Sequence, residues 1–242
     1  MAAGKGKRMK NPDKSKVMYE FKSRPMIEHV TELAMKINSV KIIPVVGHKK
    51  ESVIEHLNDR FTENTDKINY AHQDEQLGTG HAIMQTEEHL KDFEGNVLIL
   101  SGDVPMLSFD TVNFFLNFHD ENNFDASLIS AVFDDPKGYG RVLRDRDGNF
   151  VEIKEEKDCN DEERKCKEIN SGIYIIDNRI LFEALKTLST ENAQGEYYLT
   201  DVFKYFKSTG NKIGAFPVKN NLEISGINTV EQLEELEKIF DL

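Results

Sequence analysis

The most restrictive feature of this sequence is a repeated switch between two hydrophobic periods. Short apolar runs rich in branched residues occupy positions 40–46, 97–100, 126–133, 173–176 and 213–218, lengths that suit buried strands. Between them lie segments of helical period at 26–37, 52–61, 80–90, 108–119, 180–188 and 199–207. In the first of these, Ile27, Val30, Leu33, Ala34 and Ile37 fall on one stripe. Strands that are apolar along their whole length need cover on both faces, and amphipathic helices between them supply it. The pattern therefore predicts an α/β fold with a mostly parallel central sheet. In such sheets ligands bind beyond the carboxyl ends of the strands. A closing helix is predicted from Thr229, a suitable N-cap, with Val230, Leu233, Leu236 and Ile239 as its apolar stripe. With 242 residues and no internal repeat, low-complexity tract or Pro/Gly/Ser linker, one domain with a small lobe is expected.

Composition matters here for what it excludes. The 31 Lys plus Arg stand against 43 Asp plus Glu, a net charge of −12, which argues against a nucleic-acid-binding surface. No apolar stretch approaches the roughly 18 residues of a bilayer span, and positions 1–10 lack the apolar core of a secretory signal. No membrane partner and a cytoplasmic location are the resulting expectations. Cys159 and Cys166 cannot alone close a four-ligand zinc site and are expected to be free surface thiols. From 154 to 168 acids and bases alternate with no apolar face, the pattern of a solvated loop or helix surface. Phe114, Phe115 and Phe118 recur at helical spacing and are expected in the core.

Three pieces have the chemistry of a site. The first sixteen residues hold Lys5, Lys7, Arg8, Lys10, Lys14 and Lys16 against a single acid, Asp13. In an acidic protein, a basic segment with Gly4 and Gly6 suits an anion, because glycine lets backbone N–H groups approach phosphate oxygens. A frayed basic terminus is the equal alternative, since the spacing fits neither a Walker A loop nor GxGxxG. Asp103 follows the strand run 97–100, and a carboxylate at a strand's carboxyl end suits Mg2+, although an Asx turn would look the same. The stretch 73–81, Gln-Asp-Glu-Gln-Leu-Gly-Thr-Gly-His, could read a base through amides and backbone, or be a loop capped by Thr79. Taken alone, Asn228 reads as a turn residue and His81 as a core histidine at a helix start.

Taken in order, the motifs resemble the pyrophosphorylase (uridylyltransferase) domain of the bacterial bifunctional UDP-N-acetylglucosamine pyrophosphorylase / glucosamine-1-phosphate N-acetyltransferase family. The residues that carry the likeness are AAGKGKRM at 2–9, Lys16-Val17, Gln73 with EQLGTGHA at 75–82, and GDVP at 102–105. They continue with Asp135-Pro136, GYGR at 138–141, Glu155 with Lys157-Asp158, EINSG at 168–172, NAQGEYYLTD at 192–201 and Gly226-Ile227-Asn228. The resemblance implies a Rossmann-like nucleotidyltransferase fold with a small sugar-binding lobe. It implies Mg2+-dependent uridylyl transfer from UTP to N-acetylglucosamine-1-phosphate, a product that feeds peptidoglycan and other envelope polymers in bacteria. Position by position, it implies that Ala2, Ala3 and Gly4 line the nucleotide, that Gln73, Gly78 and Thr79 read the uracil, and that Arg8 and Lys16 face the triphosphate as the catalytic pair. Ser101, Gly102, Gly140, Glu155, Asn170 and Tyr197 would hold the sugar, and Asp103 and Asn228 would ligate the magnesium.

Two departures bear on this. The family's first strand runs directly into AAGKG, and here Met1 stands at its last position, so a truncated first strand and a poorly anchored phosphate loop are expected. No hexapeptide repeat of the family's β-helix is read in these residues, so that domain is expected to be absent, with residues 1–228 as the transferase domain and 229–242 as a C-terminal helix. Because trimerisation in the family depends mainly on that β-helix, a monomer or weak dimer is expected. Lys7 stands where Thr is common and Ser101 where some members carry Tyr. The alternatives are a related sugar-1-phosphate nucleotidyltransferase and a catalytically idle nucleotide-sensing domain of the same fold.

Overall fold

Strands that are apolar on both sides find cover on both faces in the computed structural model, which describes residues 1–240. Its strands are β1 (Glu20–Phe21), β2 (Arg24–Pro25), β3 (Val45–Val46), β4 (Ala71–His72), β5 (Asn96–Ile99), β6 (Ala126–Val132), β7 (Arg141–Arg144), β8 (Phe150–Lys154), β9 (Glu168–Asp177) and β10 (Ile213–Pro217). Its helices are α1 (Met26–Lys36), α2 (Lys50–Arg60), α3 (Thr79–Met84), α4 (Glu87–Leu90), α5 (Phe109–Glu121), α6 (Asn178–Leu185), α7 (Val202–Ser208) and α8 (Val230–Phe240). The last two positions of the predicted terminal helix, 241–242, lie outside the described residues.

The main sheet has the order β10-β6-β9-β7-β8, with β5 also paired to β9. Side chains alternate across it as strand geometry requires. Ala126 and Leu128 of β6 and Tyr174 and Ile176 of β9 pack with α6 and α7 residues such as Leu181 and Phe203. Ile129 and Ala131 of β6 and Ile173 and Ile175 of β9 pack with Val112 and Phe115 of α5 on the other side. The α/β reading holds, and the mostly parallel sheet is corrected to a mixed one. β10 runs parallel to β6, but β9 runs antiparallel to both β5 and β6, between which it lies. A strand buried on both faces reads as the same apolar run in either direction, so its pattern carries no sign of orientation.

The pair β7 and β8 escaped the reading of apolar runs because charged residues interrupt it. Val142 and Ile153 point inward, while Arg144, Glu152 and Lys154 lie on more accessible positions of an antiparallel ladder. The Asp147-Gly148 turn between them, with Gly148 at φ 84°, is the usual sequence signal of such a hairpin. The run at 40–46 shrinks to β3, because Pro44 has no N–H to give a ladder. Phe115 is fully buried as expected, but Phe114 is 63% exposed on the outer side of α5. Both cysteines are free, yet Cys159 is buried rather than on the surface.

Residues 1–3 lie between the end of β5 and β3. The Met1 amino group donates to the Leu100 carbonyl at 2.7 Å, and the Gly102 N–H donates to the Met1 carbonyl at 2.9 Å. On the other side, Ala2 N–H donates to Val45 O at 2.8 Å and His48 N–H to Ala3 O at 3.2 Å, with Ala2 and Val46 forming a parallel bridge. The expected loss of anchorage is thereby corrected: the glycine loop that follows is held by backbone bonds on both flanks. Gly47 lies at this seam, where an added methyl would come within 2.7 Å of Gln73 O and 2.9 Å of both Ala3 O and Ala3 Cβ. Gly47→Ala is therefore expected to cost about 1–3 kcal/mol through overpacking, read as a lower urea midpoint at unchanged slope.

Candidate active site

The seam delivers the chain to a glycine loop that folds back on Lys16. Gly6 adopts φ 58°, and a methyl there would sit 2.7 Å from Lys16 Cβ, so the loop can close over Lys16 only without a side chain at this position. Met9, 1% exposed, pins the loop from below, and its carbonyl accepts from Tyr19 Oη at 2.8 Å. The Lys16 ammonium, on a side chain 14% exposed, pairs with Asp103 and donates to Asn228 Oδ1 at 2.8 Å. Arg8 Nη2 donates to the same amide oxygen at 2.8 Å. Asn228 Nδ2 donates to Gly226 O at 3.1 Å, which fixes the amide so that Oδ1 faces the two cations.

Asp103 and Asn228 thus present a carboxylate and an oriented amide oxygen at one point. That donor set fits Mg2+, which retains waters and takes phosphate oxygens to complete its shell. Among the described residues no group of three or more His, Cys, Asp or Glu side chains could enclose a metal by itself.

A cleft of about 490 Å³ opens here. Ala2, Ala3, Gly4, Lys16, Gln73, Gly78, Thr79, Ser101 and Asp103 line it, so nine of the sixteen site residues expected from the sequence share one cavity. Gln73 is buried, donates through Nε2 to Gly78 O at 2.9 Å and lies 3.2 Å from His81 Nδ1. Gly78, at φ 116°, leaves no room for a side chain because Tyr197 O would lie 2.5 Å from an added methyl. The segment 77–80 is stitched to 197–199 by Tyr197 N–H to Leu77 O and Gly80 N–H to Tyr197 O, both 2.8 Å. Thr79 is not the cap but the first helical residue, and its hydroxyl accepts from Leu199 N–H at 3.0 Å; Gly78 holds the cap position.

Strand register brings three further residues together. Arg141 stands opposite Lys154 on β8 and opposite Ile169 on β9, so the preceding Gly140 falls beside Glu155 and Asn170, one step beyond each partner. Asn170 N–H donates to Gly140 O at 2.9 Å, and both Glu155 carboxylate oxygens lie 3.6 Å from where a Gly140 side chain would start. Asn170 Nδ2 donates to the buried Tyr174 hydroxyl at 2.7 Å. Ser101 Oγ donates to Gly172 O at 3.2 Å, and Gly172 N–H to Asn170 Oδ1 at 3.3 Å, a chain of contacts from the cleft to this group. Burial raises the Glu155 pKa, opposed by the hydroxyl bond from Thr200 and reinforced by Asp201, Asp158 and Glu196. Gly102 is buried beneath the cleft against Met1. The Tyr197 ring faces a different hollow, with Leu77, His81 and Phe182, and only its backbone reaches the segment around Gly78.

Among known proteins, residues 1–222 match the family described as nucleotidyl transferase. The chain belongs to the nucleotidyl transferase family. This nucleotidyl transferase is 46% identical over 239 residues to the bifunctional protein GlmU of Caldanaerobacter subterraneus subsp. tengcongensis. It is 45% identical to the proteins of that name from Thermoanaerobacter pseudethanolicus and Acetivibrio thermocellus. Each match covers 99% of the nucleotidyl transferase chain and 50% of the relative, so the chain spans about half the length of the curated relatives it matches. The fold is also that of a UDP-glucose pyrophosphorylase solved with UDP-glucose, at TM-score 0.78 and 18% identity, covering 99% and 96% of the two chains. A Bacillus anthracis protein solved with a sucrose superposes at TM-score 0.77 and 20% identity, covering 98% of this chain and 92% of that one.

Residues outside the sixteen expected from the sequence also shape the nucleotidyl transferase site. Lys5, Gln76 and Glu196 line the cleft, and Gln76 Nε2 donates to Gln73 O at 3.0 Å. Gln232 Oε1 accepts from Asn228 N–H at 2.8 Å while its own N–H donates to Thr229 Oγ1 at 3.2 Å. The T-x-x-Q spacing at 229–232, a capping-box signature, is a local signal from which it could be found. No described helix is long and apolar enough to cross a membrane.

Glu155 supplies a test of the site's electrostatics. A carboxyl whose pKa is raised on folding destabilises the fold above the ordinary carboxylate range and ceases to do so once pH falls below it. Glu155→Gln should raise Tm at pH 7 and show no gain at pH 3.5, as measured by scanning calorimetry at the two pH values.

Proposed function

We propose that this nucleotidyl transferase joins UTP to N-acetylglucosamine-1-phosphate, forming UDP-N-acetylglucosamine and pyrophosphate with Mg2+ as cofactor. The observation that carries this reading is the Lys16 ammonium held between Asp103 and Asn228 beneath the glycine loop. That is cationic, oxygen-donating machinery suited to a polyphosphate. The choice of an acetamido sugar draws on the group of Gly140, Glu155 and Asn170, which offers polar partners for hydroxyl and amide groups, and on the 45–46% identity to the GlmU proteins.

In the reaction a phosphate oxygen of the sugar-1-phosphate attacks the α-phosphorus of UTP, and the α–β bridging bond breaks to release pyrophosphate. No proton has to move and no covalent enzyme intermediate is needed, so the work is positioning and charge neutralisation. Mg2+, held by the Asp103 and Asn228 oxygens that pair with Lys16 here, would supply neutralisation of phosphate charge and release the ammonium to the triphosphate. Lys16 and Arg8 hold the triphosphate and spread the charge of the leaving group, and the N–H groups of the glycine loop face its oxygens. Gln73, Gly78 and Thr79 read the uracil edge, whose two carbonyls and imide N–H match amide and backbone partners. Glu155 and Asn170 hold the sugar over Gly140. The reading places this work in the cytoplasm.

Pyrophosphate release from UTP tests the proposal directly. Release is expected only with Mg2+, and kcat/KM with N-acetylglucosamine-1-phosphate should exceed that with glucose-1-phosphate by about ten-fold or more, since glucose leaves the acetamide partners unpaired. No release from a cooperatively folding sample, or equal rates with the two sugars, would overturn it. Lys16→Ala should lower kcat on the order of 100- to 1,000-fold with little change in Tm.

A further inference from the structure

Gly140 reaches its place between Glu155 and Asn170 at the end of a five-residue segment, 136–140, that takes no part in the sheet. Two charged side chains outside the proposed set of binding residues hold that segment. Arg141 is almost wholly enclosed, its side chain 3% exposed. Its Nη1 donates to Pro136 O at 2.9 Å and also to Tyr139 O, so one guanidinium nitrogen ties the first residue of the segment to the residue just before Gly140. Its Nη2 pairs with Glu156 Oε1 at 3.5 Å. The other Glu156 oxygen accepts from Gly138 N–H at 2.8 Å, at a residue whose φ of 88° gives the segment its turn.

A buried guanidinium is costly to desolvate, and here its Nε lacks any partner, so stability alone is a poor reason for this arrangement. What it achieves is geometric. Gly140 O is set to accept from Asn170 N–H, and the Gly140 Cα is set beneath the Glu155 carboxylate. Next to Gly140, Tyr139 Oη accepts from Gly226 N–H at 3.4 Å, on the residue whose carbonyl orients the Asn228 amide.

We propose that Arg141 and Glu156 are positioning residues for the sugar subsite: together they lock the segment 136–140 so that Gly140 supports the sugar moiety between Glu155 and Asn170. This rests on the proposed reading of the site as one that holds a nucleotide sugar. Neither residue touches the sugar; each acts through the segment.

The test is calorimetric binding of UDP-N-acetylglucosamine and of UTP to the unsubstituted protein and to Glu156→Ala, Glu156→Gln and Arg141→Lys, with Tm recorded for each. Glu156→Ala should weaken UDP-N-acetylglucosamine about ten-fold and leave UTP within about two-fold. Glu156→Gln, which can still accept from Gly138 N–H, should recover part of the loss, and Arg141→Lys, which cannot bridge Pro136 and Tyr139 from one fork, should resemble Glu156→Ala. Equal weakening of both ligands in step with a lowered Tm would reduce the pair to a structural role and overturn the proposal, as would unchanged binding by Glu156→Ala. Failure of the unsubstituted protein to bind UDP-N-acetylglucosamine would overturn the proposal together with the reading beneath it, whereas the other two failures leave that reading intact.

Discussion

The site depends on a backbone seam. Residues 1–3 are bonded to Leu100 and Gly102 on one side and to Val45 and His48 on the other, so one short stretch of chain connects the main sheet to the β3–β4 pair. Several of the parts that line the cleft leave from this seam. The glycine loop continues it, Asp103 follows Gly102, and Gln73 N–H bonds to Val46 O at 2.8 Å next door. Because parallel strands end their carboxyl termini on the same side, such a junction collects loops from several elements at one place, which is where a ligand can be held by parts distant in sequence.

The charges make sense on this frame. An acidic protein repels polyphosphates in general, and two of the basic residues near its start, Lys5 and Lys16, line the cleft. Lys16 is partly desolvated and pinned between Asp103 and Asn228, which keeps a cation in the cleft without letting it collapse onto the surface. α8 reinforces the arrangement from outside the cleft, since Lys10 pairs with Glu231 and Gln232 fixes the backbone of Asn228. Glu155 shows the opposite device: enclosure, and other acids nearby, make its charge unfavourable, which agrees with the sugar-holding role proposed for it.

Much of this was legible in the residues, and the limits have physical causes. Helices α1, α5 and α8 were visible because their apolar stripes repeat with helical period, and Ser108 caps α5 by accepting from Thr111 N–H at 3.1 Å. The direction of β9 was not, because a doubly buried strand carries no directional signature. β7 and β8 were hidden by their outward charges, and with them the register that joins Gly140, Glu155 and Asn170. Motif resemblance named those three residues; only strand pairing explains why they meet. Gly78 was legible as part of a motif, whereas its need for φ 116° against the Tyr197 backbone depends on a contact 119 positions away in sequence, which no local pattern encodes. The clamp of Arg141 and Glu156 was hidden for the same reason, since its parts are adjacent only once the hairpin is paired.

The most direct measurement is a crystal structure of the protein with UDP-N-acetylglucosamine and Mg2+. Uracil against Gln73 and Gly78, phosphates beside Lys16, and the acetamido sugar over Gly140 between Glu155 and Asn170 is the expected result. A nucleotide bound outside the cleft formed at the seam, or a sugar held by residues other than that group, would contradict it.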